Sequence, residues 1–178
     1  GTQTASPKFD FKTPVFKTSN VVDLTPVSEL NKEHPARDYL ERRKIEDLDL
    51  FYYCPKFKDW TNRQKKTFDT LRQDSARIII PLRDKDGTMF GFQGRSLAPK
   101  AKIRYITIML DESMPKVYGL DRIDPSQEVY VTEGPFDSHF IRNAIAMCGS
   151  DVDLRSFDYS FVYTYDNEPR SREIVAKI

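Results

Sequence analysis

One run of residues restricts the fold more than any other. EVYVTE (128–133) is β-branched and aromatic, and it stops at a carboxylate, Glu133. Gly134-Pro135 follows, then a second acid at Asp137. DSHFIRNA (137–144) has the character of a helix and IAMC (145–148) of a short apolar strand. SFDYSFVYTYD (156–166) contains a further strand, and PRSREIVAKI (169–178) starts another helix. Strand, helix, strand, then strand and helix predicts an α/β unit with a parallel sheet.

A parallel sheet collects functional groups beyond the carboxyl ends of its strands. Glu133 sits at one such end. Asp166 closes the run FVYTYD at another, with Glu168 two residues on. Glu133, Asp166 and Glu168, with Asp137, are therefore expected on one edge. Clustered carboxylates repel one another, and a bound hard cation resolves that repulsion. Mg²⁺ takes one or two carboxylates together with waters and substrate phosphates, and it then acts as Lewis acid in phosphoryl transfer. Each acid also has a plainer reading. Asp137 fits the N-cap of its helix, Glu168 fits the acidic entry to the last helix, and Glu133-Gly134 fits a simple strand end and turn.

Upstream of this unit the texture is different. Residues 1–30 carry three prolines and no sustained period, as an arm or linker would. HPARDYLERRKI (34–45) predicts a helix, with Pro35 in the first turn and Ala36, Tyr39, Leu40 and Arg43 at helical spacing. DLDLFYYCPKFKDW (47–60) predicts a strand or turn, and TNRQKKTFDTLRQ a short helix or basic loop. In ARIIIPLRDKDGTMFGFQGRSL (76–97), Ile78-Ile79-Ile80 is a buried strand, Asp86-Gly87 a hairpin turn, and Met89–Phe92 the return strand. RYITIML (104–110) is another strand, and KVYGLDRI (116–123) is short and mixed. The resulting division is an arm at 1–30, a basic α+β lobe at 31–124, and an α/β lobe at 125–178.

Charge follows the same division. The formal net charge is +1, yet Gln127–Ile178 holds nine acids against five bases. Arg63–Arg104 holds eleven bases against four acids. Such a split suits a protein that holds polyanions on one side and cations on the other; chance asymmetry on a solvated surface would give the same count. Cys54 and Cys148 are far apart and are expected as reduced thiols in a cytosolic protein. His34 and His139 are isolated, unlike metal ligands, which cluster. There is no stretch of about eighteen apolar residues, and the N-terminal residues have no signal-peptide core.

Several of these segments together resemble a known family. Glu133-Gly-Pro-Phe-Asp137 followed by Asp166-Asn-Glu168 is similar to the Toprim metal site shared by topoisomerases, bacterial-type primases and some nucleases. ARIIIPLRDKDGTMFGFQGRSL resembles the primase pattern of a basic strand, Pro, Asp-x-x-Gly, then Gly-Phe-x-Gly-Arg. RYIT, YGLDRI and HPARDYLERRKI resemble primase segments in the same order. GPFDSHFIRNAIAMCGSD and TYDNEPRSREI look closest to primases of T-even-type tailed phages, and the match covers roughly residues 34–178.

The resemblance implies a primase catalytic core with a Toprim lobe, partial in this chain. It implies a nucleotidyltransferase that synthesises short RNA primers on single-stranded DNA, using nucleoside triphosphates and Mg²⁺ (or Mn²⁺) during replication. By position, Glu133, Asp166 and Glu168 would be catalytic, and Glu133, Asp137, Asp166 and Glu168 would hold metal. Glu168 stands where primases usually carry Asp. Arg83, Arg95, Lys102 and Arg104 would form the basic wall for template backbone or triphosphate. Tyr105, Phe90 and Phe92 suit either base stacking or, preferably, core packing. Zinc would belong to an upstream module, and a replicative helicase would be the partner by family analogy. No membrane is implied, and the location would be cytoplasmic, in the host cell if the chain is phage-encoded. The chain is expected to be a fragment. A Toprim nuclease, or a non-catalytic nucleic-acid-binding fragment, is the alternative.

Overall fold

A computed structural model describes residues 22–164. Five strands form the first sheet: β1 (Thr25–Pro26), β2 (Tyr52–Cys54), β3 (Arg77–Arg83), β4 (Met89–Ser96) and β5 (Tyr105–Met109), in that spatial order. All neighbours are antiparallel. The second sheet has the order β6–β8–β7–β9, with β6 (Val117–Tyr118), β7 (Val129–Thr132), β8 (Ala144–Met147) and β9 (Phe161–Tyr163). β7 runs parallel to both β8 and β9, as the strand spacing predicts, while β6 adds an antiparallel edge. This edge strand lies upstream of residue 125, so the second sheet draws on both sides of the compositional boundary. The architecture is an α+β lobe followed by a smaller lobe built on parallel strands.

β3 explains the unbroken Ile78-Ile79-Ile80. Successive side chains in a strand point to opposite faces. Ile78, Ile80 and Leu82 enter a core shared with Val117, Val129, Val131, Ile145, Phe51 and Phe136, so the two sheets meet there. Ile79 faces a second core with Phe57, Trp60, Phe92 and Ile108. A strand covered on both faces reads as a continuous apolar run. Gly94 of β4 lets helix α2 (Phe57–Gln64) approach the sheet: a Cβ there would stand 2.4 Å from Phe57 Cε2. Asp86-Gly87 makes the predicted turn, with Gly87 at φ +83 and the Asp84 carboxylate accepting from the amides of Asp86 and Thr88.

Helix α1 (Pro35–Arg42) starts at Pro35, as expected, and His34 Nδ1 accepts from the Ala36 amide at 3.1 Å. Residues 22–30 of the arm are laid on the body: Val22 and Val27 are buried and β1 pairs with β2.

Two expectations need correction. The helix predicted over 137–144 is only the single turn α3 (Pro135–Ser138). Asn143 adopts φ 55, and its carboxamide bonds the backbone of Asp124 and Glu128, which turns the chain into β8. Within 47–60 the strand is confined to β2, and α2 begins at Phe57, its first amides held by the distant Asp74 carboxylate. Among the described residues no helix is long and apolar enough to cross a membrane.

Candidate active site

The chain leaves β7 at Thr132, whose hydroxyl lies 3.0 Å from the Gly134 carbonyl and 3.2 Å from that of Ile145. This pins the exit turn to β8. Pro135 then opens α3, and the Ser138 hydroxyl donates back to the Pro135 carbonyl at 2.5 Å. Phe136 anchors the turn in the core, its ring 5.4 Å from Phe51, with the Arg43 guanidinium 5.1 Å above it. Glu133 is left exposed and Asp137 half-buried.

Both carboxylates line one cleft of about 630 Å³ at the carboxyl ends of β7 and β8. Its remaining walls include Gln93 and Tyr105 of the first sheet, Arg43, and the chain from Met147 to Ser150 after β8. A crevice beyond the ends of parallel strands is where such sheets bind ligands. Thr164, the last described residue, bonds the Val131 carbonyl through its amide and its hydroxyl, at 2.9 and 3.0 Å. Asp166 and Glu168 lie outside the described residues.

Among the described residues no group of three or more His, Cys, Asp or Glu is placed to hold a metal ion. Glu133 and Asp137 supply two hard oxygen donors on one wall, which fits an ion that takes one or two carboxylates and leaves the other positions to water and phosphate. The thiols do not suit a soft-metal site: both are free, and burial pushes the pKa of each up to about 12.

A second cleft, of about 420 Å³, is lined by Tyr39, Arg42, Arg95 and Arg104 among others. Arg95 packs its guanidinium 4.6 Å from the Tyr39 ring centre and 5.6 Å from that of Tyr105, and donates to the Ser96 carbonyl. Its Nε is buried without a hydrogen-bond partner among the described residues. Burial, followed by Tyr39, raises the Tyr105 pKa, so the phenol keeps its proton at neutral pH. Arg104 and Lys102 are exposed on or beside the connection from β4 to β5. Arg77 pins that connection, donating to the carbonyls of Gly94, Ile103 and Arg104 at 3.0–3.1 Å. Arg83 stands apart from both linings and donates to the Gly87 carbonyl of the hairpin at 2.9 Å. Of the three aromatics considered for stacking, Phe90 and Phe92 are in the core, and Tyr105 is 39% exposed.

Sequence reasoning missed His139. Its Nδ1 faces the Asp47 carboxylate at 3.0 Å, while Nε2 meets the Tyr118 hydroxyl at 2.6 Å and Arg122 at 3.0 Å. The carboxylate calls for the proton on Nδ1, leaving Nε2 as acceptor. Burial, then the Arg122 charge, pushes the imidazole pKa down. The network ties α3 to the Leu48–Leu50 turn of the first lobe. Asp47 and His139 are 92 residues apart, too far for any local pattern to reveal.

The fold is the one found in the catalytic cores of primases. The Aquifex aeolicus primase, solved with its zinc-binding and RNA polymerase domains, superposes with a TM-score of 0.58 at 20% identity, over 82% of this chain and 46% of that one. A DnaG primase catalytic domain bound to single-stranded DNA gives 0.57 at 20% identity, over 86% of this chain and 61% of that one. At these identities the likeness establishes the fold. In sequence, the chain is 32% identical over 157 residues to the DNA primase of Enterobacteria phage T4, covering 85% of this chain and 45% of that protein. No family model matches. The chain is a primase-core relative on the phage side of the family, and it spans less than half the length of the phage relative.

Proposed function

We propose that the chain carries the catalytic core of a DNA primase, a nucleotidyltransferase that assembles short RNA primers on single-stranded DNA from nucleoside triphosphates. The observation that carries this is the shared cleft, with Glu133 and Asp137 on one wall and the first sheet, through Gln93 and Tyr105, on the other. Arg95 and Arg104 line the neighbouring cleft.

In this proposal Glu133 and Asp137, with Asp166 and Glu168 from the segment after β9, hold Mg²⁺ or Mn²⁺. The ion supplies Lewis acidity and neutralises phosphate charge. Arg95 and Arg104 receive phosphate oxygens, Arg95 through a guanidinium already oriented by two aromatic rings. Lys102, on the same connection, extends this wall as a point charge, while Arg83, at the hairpin turn and apart from both clefts, is left out of it. Tyr105 offers an exposed ring face to a base. Pinning of the exit turn by Thr132, Ser138 and Phe136 fixes Glu133 against the opposite wall, the positioning on which phosphoryl transfer largely depends.

The division into arm, basic lobe and Toprim lobe is proposed on the same footing. So are a replicative helicase as partner, zinc confined to an upstream module, and a cytoplasmic location, that of the host cell for a phage-encoded chain. The test incubates the chain with single-stranded DNA, labelled NTPs and Mg²⁺, beside Glu133→Gln and Asp166→Asn. Short RNA products lost in both variants are expected. Shortened DNA without RNA synthesis would identify a nuclease instead, and binding indifferent to both substitutions would identify a non-catalytic binding fragment.

A further inference from the structure

β4 is buried along its length except at Arg95, and Gln93 lies within it only 6% exposed. The side chain is half satisfied. Its Nε2 donates to Thr107 Oγ1, the residue paired with it across β5, at 3.3 Å, and Thr107 Oγ1 donates to the Cys148 carbonyl at 3.2 Å. A hydroxyl has one hydrogen. Committed to Cys148, Thr107 can only accept from Gln93, so the amide nitrogen faces Thr107 and the carboxamide oxygen faces away. That oxygen is buried with no hydrogen-bond partner among the described residues.

A buried acceptor without a donor carries a desolvation penalty that an apolar side chain of the same size would avoid. Gln93 lines the cleft of Glu133 and Asp137. The carboxylates there have no hydrogen to offer when ionised. Arg43, the cation of the lining, is spread over the Phe136 ring and donates to the Tyr39 hydroxyl at 3.3 Å. No described residue supplies the missing donor. A nucleotide seated against the exposed ring of Tyr105 carries such donors in its ribose hydroxyls and in the amino group of its base.

We infer that Gln93 is a specificity-determining residue of the Glu133 cleft, its carboxamide oxygen accepting a hydrogen bond from a ribose hydroxyl or base amino group of the bound nucleotide. The inference rests on the nucleotide reading of that cleft. It assigns a role to the one position the Gly-Phe-x-Gly-Arg pattern leaves open.

Gln93→Met keeps the length of the side chain and removes its polar atoms. Binding of ATP, 2′-deoxyATP, CTP and UTP in Mg²⁺ is measured by calorimetry for wild type, Gln93→Met and Glu133→Gln, with Tm recorded for each. The variant is expected to bind ATP roughly three- to tenfold more weakly, with Tm equal to wild type or higher because the unpaired acceptor is gone. If the 2′ hydroxyl is the donor, wild type and variant bind 2′-deoxyATP alike. If the base amino group is the donor, the difference persists for 2′-deoxyATP and CTP and disappears for UTP. An unchanged affinity for all four nucleotides overturns the inference. So does a lowered Tm with an equal loss for all four, which would mark a structural role. No nucleotide binding by wild type, or binding unaffected in Glu133→Gln, would instead overturn the nucleotide reading of the cleft.

Discussion

Glu133 is exposed where β7 ends, and a charge in that position does little for stability. Glu133→Gln is expected to change unfolding free energy by less than about 0.5 kcal/mol while abolishing metal-dependent activity; chemical denaturation and the primer assay read the two separately. The thiols behave in the opposite way, contributing to stability and not to chemistry. Burial holds both near pKa 12, so the folded state keeps protons that an unfolded thiol begins to lose near pH 8.5. Stability is therefore expected to be level below about pH 8.5 and to fall as pH rises from there toward 12. Replacing both cysteines with Ala should flatten this decline in denaturation midpoints, and alkylation at pH 8 should be far slower in the folded chain than in urea. At this scale sequence was partly informative. Glu133 and Asp137 were legible because a core strand that ends on an acid is unusual. Gln93 and His139 were not, since their partners arrive through cross-strand register and from a distant turn.

Elements are legible where hydrophobic pattern and turn chemistry agree. β3, the Asp86-Gly87 turn, β4 and β5 stand where the pattern put them because β-branched runs were bounded by turn residues. α3 was overestimated: DSHFIRNA carries a helical period, but Asn143 prefers three backbone partners and a left-handed conformation to continuing the helix. The strand expected within 156–166 covers Phe161–Tyr163 among the described residues. Gly94 carries an element-scale prediction. A methyl there meets the Phe57 ring at 2.4–2.8 Å, so the buried ring, or α2 with it, must shift. Gly94→Ala is expected to destabilise the fold by about 1–3 kcal/mol, measured by urea denaturation. Gly87→Asn, strained at φ +83 but with no atom within 4 Å of the added Cβ, should be milder.

Across the whole molecule, charged side chains line two neighbouring clefts, one holding Glu133 and Asp137 with Arg43 and the other Arg42, Arg95 and Arg104 with Asp38. The count of charges was legible in sequence, but their adjacency was not, since it depends on a core that packs β3 against the second sheet. If Arg104 meets a phosphate of single-stranded DNA, Arg104→Ala should reduce the slope of log K against log salt by about 0.7, measured by fluorescence anisotropy across a salt series. The central claim is that the turn after β7 holds a divalent ion against the opposite wall of the first sheet. Its most direct test is paramagnetic broadening by Mn²⁺ of amide resonances in the ¹⁵N-labelled chain. Broadening should concentrate at Gly134, Phe136 and Gly149, extend to Gln93 and Tyr105, and be lost in Glu133→Gln. Broadening centred elsewhere, or persisting unchanged in that variant, would contradict it.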